Sequence, residues 1–371
     1  MNLKGRRILL ISPQDWDSIK LSKHHYALEL AARGNQVVFL NPPRKNISFK
    51  KIRFEHISKE LSVVDYNLFF PYALKFHLYA LFNWLLNIQL KLISRQLKHF
   101  DIVWSFSPLF PNLKGFKADK YIYHVMDNLE EPGFLQPSQN ADVVLGVTDH
   151  ILSKFQSKNK YLIRHGLSGK FLSQMNPNSV TEAKKGIVDV CYTGNLNAST
   201  IDRKIIMELV TSNNGIRFNF IGPYHKNDEL TCGFINFLET SPNVVLHGKL
   251  ETSQMITQYK MMDVFILCYD KTSSFAHRRN KSGSSHKMLE YLASGKVVVS
   301  SKVDAYQGNQ ELIAMLQEDH NLKFQELFSK VIENLNYFNS NELINKRIEM
   351  AKENSYQIRI NEIEAILNKE N

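Results

Sequence analysis

Between residues 271 and 301 the chain reads KTSSFAHRRNKSGSSHKMLEYLASGKVVVSS, and the side chains able to do chemistry crowd its middle. His277, Arg278, Arg279 and Lys281 come with no acidic residue among them, and Ser284, Ser285, His286 and Lys287 follow directly. Either serine can cap a helix, because its hydroxyl accepts from the unpaired N–H groups of a first turn. Met288, Leu289, Leu292 and Ala293 then recur at helical spacing, and Gly295 is placed to close the helix in the left-handed conformation. No acid stands at the third helical position behind either serine, so the reciprocal capping box is missing and N–H groups are left over. A helix N-terminus of that kind, with arginines and a lysine about it, suits a phosphate: the dipole favours negative charge and guanidinium binds it bidentately. A solvated basic loop is the plainer alternative. Glu290 lies one turn further in on the side of Lys287, where it either pairs with that lysine at i,i+3 or accepts from a ligand's hydroxyls.

The elements that must position these groups alternate along the whole chain. RRILLIS (6–12), QVVFLN (36–41), DIVWSF (101–106), KYIYHVM (120–126), DVVLGVT (142–148) and KYLIRHG (160–166) read as strands, with a helix from Ser22 to Arg33 ended by Gly34. After a polar stretch, a second alternation runs through VDVCYTG (188–194), IRFNFIG (216–222), VVLHG (244–248), DVFILCY (263–269) and KVVVSS (296–301), with four helices between. The expected fold is α/β, two Rossmann-like doubly wound domains facing a central cleft. The domains are 1–173, a linker at 174–186, and 187–352, with a helix around 353–371 free to pack back on the first. Gly194-Asn195, Gly222-Pro223 and Gly248-Lys249 each follow a strand of the second domain, at the carboxyl edge where such sheets bind ligands. The first loop, SPQDWDSIKLS, lacks a G-x-G-x-x-G dinucleotide fingerprint.

Composition narrows the classes. With 371 residues, 43% hydrophobic and 22% charged, the chain is globular and large enough for two domains. Cys191, Cys232 and Cys268 are widely spaced and show no metal-ligand pattern, so they read as reduced thiols. The N-terminus enters a strand without a signal peptide, which leads us to expect a cytoplasmic protein. The net charge of +10 fits polyphosphate ligands or anionic lipid, and no nucleic-acid module accompanies it. Segment 68–100 mixes Phe, Trp and Leu with Lys75, Lys91, Arg95 and Lys98; it is too interrupted to span a bilayer but suits either a helix resting on an anionic membrane or a buried interdomain helix.

At this point the residues resemble a family. DVCYTGNLNASTID (189–202), FNFIGP (218–223), VVLHGKLETSQMITQYKMMDVFILCY (244–269) and HKMLEYLASGKVVVSS (286–301) resemble the GT-B-fold glycosyltransferases of the family-4 type that build bacterial polysaccharides. ADVVLGVTDHIL (141–152) and YLIRHGLSGKF (161–171) extend the likeness into the first half. The resemblance implies that Glu290 accepts from the ribose hydroxyls of a donor nucleotide. Lys287, Ser284, Ser285 and the helix N-terminus would hold the diphosphate, and Arg203 or Lys204 would give a second cation. The turns at Gly194, Asn195, Gly222, Lys249 and Leu250 would frame the base and phosphates. Arg278, Arg279 and His286 belong to the same donor side. Ser282 stands where many retaining members carry a second glutamate, which loosens the inference of retention. No Asp-x-Asp motif ends a strand, so no cofactor and no obligatory metal are expected.

For the acceptor, Asp127 and His124 in YIYHVMDN are the candidate catalytic pair, with Asp127 as base or sugar-hydroxyl acceptor; capping of the next turn is the competing role for Asp127. Asp15, Trp16 and Asp17 offer carboxylates and an aromatic face to an acceptor sugar. The function expected is hexosyl transfer from a UDP- or GDP-linked sugar to a bacterial surface-glycan or lipid-linked saccharide, without metal and with retention. It would take place in the cytoplasm, with peripheral contact at the inner face of an anionic membrane and no nucleic acid. The alternatives are a nucleotide-sugar 2-epimerase of the same fold and a non-catalytic nucleotide-sugar-binding subunit.

Overall fold

The computed structural model describes residues 2–45, 47–127, 131–175, 186–227, 229–272 and 286–369. The chain divides into two compact units, Met1–His165 with Tyr356–Asn371, and Gly166–Ser355.

The first unit contains β1 (Arg7–Ile11), α1 (Ser22–Ala32), β2 (Gln36–Leu40), β3 (Arg53–His56), β4 (Leu61–Asp65), α2 (Leu74–His77), α3 (Tyr79–Gln96), β5 (Phe100–Ser105), β6 (Ala118–Val125), β7 (Val143–Gly146), α4 (Asp149–Leu152) and β8 (Lys160–Leu162). RILLI and DIVWS are apolar on both faces because they lie at the centre of a sheet covered on both sides. The order is β3-β4-β2-β1-β5-β6-β7-β8, parallel throughout except for β3 against β4. From β1 the chain moves to β2 on one side and later to β5 on the other. The topological switch point, where open α/β sheets bind ligands, therefore lies at the carboxyl ends of β1 and β5. The hairpin at 53–65 is absent from the sequence reading: every residue of β3 is exposed, so no buried alternation marks it.

The second unit contains α5 (Gly169–Gln174), β9 (Val188–Thr193), α6 (Arg203–Ser212), β10 (Ile216–Ile221), α7 (Glu229–Thr240), β11 (Val244–Gly248), α8 (Thr252–Met261), β12 (Val264–Leu267), α9 (His286–Ala293), β13 (Val297–Ser300), β14 (Ala314–Met315), α10 (Phe324–Glu333), α11 (Leu335–Phe338) and α12 (Asn341–Glu353). Its sheet, β11-β10-β9-β12-β13-β14, is parallel in every pair. The two-residue β14 is too short for any periodicity and adds a strand beyond the five read from sequence.

Leu167, Phe171 and Met175 are buried in the second unit's core, so the boundary lies before residue 173. Of the expected linker, 176–185 fall outside the described residues. Helix α13 (Tyr356–Lys369) belongs to the first unit, where Tyr356, Ile360, Ile363 and Leu367 are buried with Tyr26 and Trp104.

Candidate functional site

In the second unit, β9, β10 and β11 end in Gly194, Gly222 and Gly248, each at positive φ. The turns are stitched edge to edge: Gly194 N–H donates to Ile221 O and Gly222 N–H to Gly248 O, both at 2.8 Å. A Cβ on Gly222 would stand 1.9 Å from the carbonyl oxygen of Gly194, so only glycine lets these turns close on each other. A Cβ on Gly194 would meet Lys287 Nζ at 2.2 Å, which shows how closely that ammonium lies over the bare turn.

Lys287 sits on the first turn of α9, a turn with no acidic residue. Its Nζ donates to the Tyr192 hydroxyl at 3.3 Å and stands 4.9 Å from the centre of that ring. Burial pushes the Tyr192 phenol up, with the positive charge of Arg203 acting against it, so Tyr192 is a neutral post between two cations. One turn on, Glu290 is mostly buried, its side chain 15% exposed, and accepts from the Tyr259 hydroxyl at 3.4 Å while His286 Nδ1 lies 3.3 Å from its other oxygen. Lys287 thus leaves Glu290 to other partners: the i,i+3 pair considered from sequence is not formed. Tyr291 fastens α9 to the strand end, its hydroxyl accepting from Thr193 N–H at 2.8 Å. At the far end Gly295 closes α9 at φ +76, and the fully buried Arg347 donates to its carbonyl at 2.9 Å. Glycine turns, a cation over them and an anchored carboxylate one helical turn away can together hold a diphosphate and a diol.

The remaining donor-side residues divide. Arg203 folds back, Nη2 donating to the carbonyls of Asn197 and Ala198 at 3.2 and 3.4 Å, so it braces the loop after β9 while keeping its charge near Tyr192. Asn195 accepts from Asn197 N–H at 3.0 Å and shapes the same loop. Lys204 and Lys249 are exposed, and Leu250 packs against the second unit's core. Arg278, Arg279, Ser284 and Ser285 lie outside the described residues.

In the first unit, two expectations are corrected. His124 is fully buried among Tyr26, Trp104 and Phe106, with Trp104 Nε1 donating to its Nδ1 at 3.3 Å. Burial holds it well below the usual histidine range, so it is a neutral core residue and not a catalytic partner of Asp127. Trp16, 7% exposed, has its ring against Phe39 and His24 with Lys20 Nζ 3.9 Å over it, leaving no face for a sugar. Asp15 and Asp17 are both held by Arg44, at 2.7 and 3.2 Å, and Arg44 also reaches the buried Asp65 at 3.1 Å. Asp127 remains exposed just beyond β6.

Opposite Asp127 stands a residue that sequence reasoning missed. Lys23, on the first turn of α1, is 5% exposed, and its ammonium has no hydrogen bond or ion pair among the described residues. Burial lowers it to about 8 and the charge of Asp127 works the other way. Its neighbour His24 is lowered to about 4, chiefly by burial and further by Lys23 and Lys20. A lysine in a first helical turn reads as solvated, so no local signal marks it; only the fold buries it.

Residues 202–365 match the family model described as "Glycosyl transferase-like". No curated relative matches the chain in sequence. Similar solved structures include the α,α-trehalose 6-phosphate synthase of Burkholderia multivorans, 12% identical with a TM-score of 0.67 over 98% of this chain and 97% of that one. An Anabaena protein in complex with UDP and glucose is 11% identical, TM-score 0.65, over 98% and 99%. The catalytic domain of starch synthase IV from Arabidopsis thaliana, bound to ADP and acarbose, is 12% identical, TM-score 0.66, over 99% of each. The fold is GT-B, and Lys287 and Glu290 lie within the stretch that matches the glycosyl transferase-like family model.

Proposed function

We propose that this chain, GT-B in fold and matched over 202–365 by the glycosyl transferase-like family model, moves a sugar from a nucleotide diphosphate sugar to a saccharide acceptor. The donor is UDP- or GDP-linked and the acceptor a bacterial surface glycan or lipid-linked saccharide, met at the inner face of the membrane. The observation that carries the reading is Lys287 lying over the bare Gly194 turn with Glu290 anchored one turn behind it. Nucleoside diphosphates in the Anabaena and starch synthase structures favour the same class of donor here.

In the proposed reaction the bond from the anomeric carbon to the diphosphate oxygen breaks, and negative charge grows on the leaving group. Lys287 and the acid-free N-terminus of α9 face that charge and stabilise it, which takes the place of a metal ion. Glu290 receives the ribose hydroxyls. An acceptor hydroxyl adds to the anomeric carbon, with retention, and its proton passes to the departing phosphate. Lys23 gives the acceptor side its cation. Transfer should persist when divalent cations are chelated, and loss of turnover on chelation, restored by Mg²⁺, would replace this account of the leaving group.

The deciding experiment is a thermal-shift panel against UDP, GDP, dTDP, CMP and ADP, because a ligand that binds only the folded state raises the melting temperature. We expect one diphosphate to act selectively and Glu290→Ala to weaken it roughly 10–100-fold, the worth of charge-assisted hydrogen bonds. No shift with any nucleotide, or unchanged affinity in a folded Glu290→Ala variant, rejects the donor site.

A further inference from the structure

Between Asp65 and Asp101 the chain has no acidic residue, and this stretch builds α2 and α3. Phe82, Leu86, Leu90 and Ile93 turn one face of α3 into the first unit's core, which fixes the opposite face outward. That outward face is not polar. Leu81, Trp84 and Ile88 are exposed on it, Trp84 by 62%, and Phe76 and Leu78 beside them by 58% and 56%. At 3.6 residues per turn, Leu81, Trp84, Ile88, Lys91 and Arg95 fall within about a quarter turn of one another, so the stripe runs from apolar to basic along one line. The loop before β3 continues it: Gln96 takes the carbonyl of Lys50 at 3.1 Å and receives Ile52 N–H at 3.1 Å, which fixes exposed Lys50 and Lys51 at the basic end of α3.

We propose that this face docks the protein on an anionic phospholipid surface, with the aromatic and aliphatic side chains entering the headgroup boundary and the lysines and arginine meeting lipid phosphates. The inference deepens the membrane side of the proposed function and rests on it. The charge pattern selects lipid: a run of 35 residues between the two aspartates without one carboxylate complements a negatively charged plane, and tryptophan and tyrosine prefer that depth. Among the described residues no helix is long and apolar enough to cross a membrane, so the contact is peripheral.

The test is co-sedimentation of the full chain with vesicles of phosphatidylglycerol and phosphatidylcholine, against phosphatidylcholine alone. The chain should partition onto the anionic vesicles only. Replacing the exposed pair, Phe76→Ser with Trp84→Ser, should cost at least about tenfold. Reversing Lys91→Glu with Arg95→Glu should cost more than about twentyfold, since each cation near such a surface is worth about fivefold. Raised salt should weaken the wild type. Absence of partition, equal partition onto neutral vesicles, or a solution dimer that Trp84→Ser splits without any vesicle binding would overturn the proposal, the last by giving the face to a second copy of the chain. The nucleotide-induced thermal shift, read on the same samples, separates the two ideas. A retained shift without vesicle binding sinks the docking surface alone, and vesicle binding without any shift sinks the donor reading alone.

Discussion

Replacing Lys23 with methionine should make the protein more stable and less active. The fold lowers this ammonium from 10.5 to about 8 by burial, a difference worth about 3 kcal/mol at 1.36 kcal/mol per unit. The unfolded chain keeps the proton to about 10.5 and the folded chain only to about 8, so between those values unfolding takes up a proton and wild-type stability rises with pH. Below pH 8 the whole penalty is present; above about 10.5 it is gone. Methionine matches the stem in length, suits a helix and carries no charge to desolvate. Lys23→Met should therefore raise the melting temperature at pH 7 by about 6–12 °C, taking 2–4 °C per kcal/mol for a unit of this size. The gain should shrink steadily as the pH is raised from 8 towards 10. Differential scanning calorimetry of both proteins across that range measures it, alongside transfer rates at pH 7. An unfolding temperature that falls, or a difference that does not change with pH, would show the ammonium to be satisfied in the folded chain. Full activity in the stabilised variant would remove Lys23 from the acceptor side.

Other substitutions probe the second unit. Lys287→Ala should weaken a nucleoside diphosphate about tenfold and the bare nucleoside hardly at all, by titration calorimetry; equal losses would mean that Lys287 holds the fold and not the phosphates. Gly222→Ala must push the Gly194 carbonyl away or distort the turn, and should cost at least about 2 kcal/mol in denaturant unfolding, whereas Gly215→Ala, where an added Cβ meets nothing, should cost little; similar costs for the two would refute the close approach.

Much of the architecture was legible because the central strands are written as uninterrupted apolar runs, Val297-Val298-Val299 being the clearest, and because Gly295 stands where α9 must stop. The hairpin of β3 and β4 escaped because an exposed edge strand needs no buried face. The spacing of Lys287 and Glu290 was readable because it is local to one helix. Site residues were not readable where role depends on burial from distant segments. His124 and Trp16 looked available and are sealed by aromatic rings from β2, β5 and α1. Lys23 looked solvated and is not.

Helix α13 gives the fold a constraint in time. Its Tyr356 ring meets Tyr26 edge-on, its hydroxyl donates to Ser22 at 2.9 Å, and Arg33 donates to the carbonyl of Gln357 at 2.7 Å, so one flank of α1 is covered only when residues beyond 355 exist. On the ribosome the whole second unit is made before that helix. The half of the chain translated first thus keeps one face of its core uncovered until residues 356–369 emerge, and a nascent chain released early would be unfinished at its beginning rather than at its end.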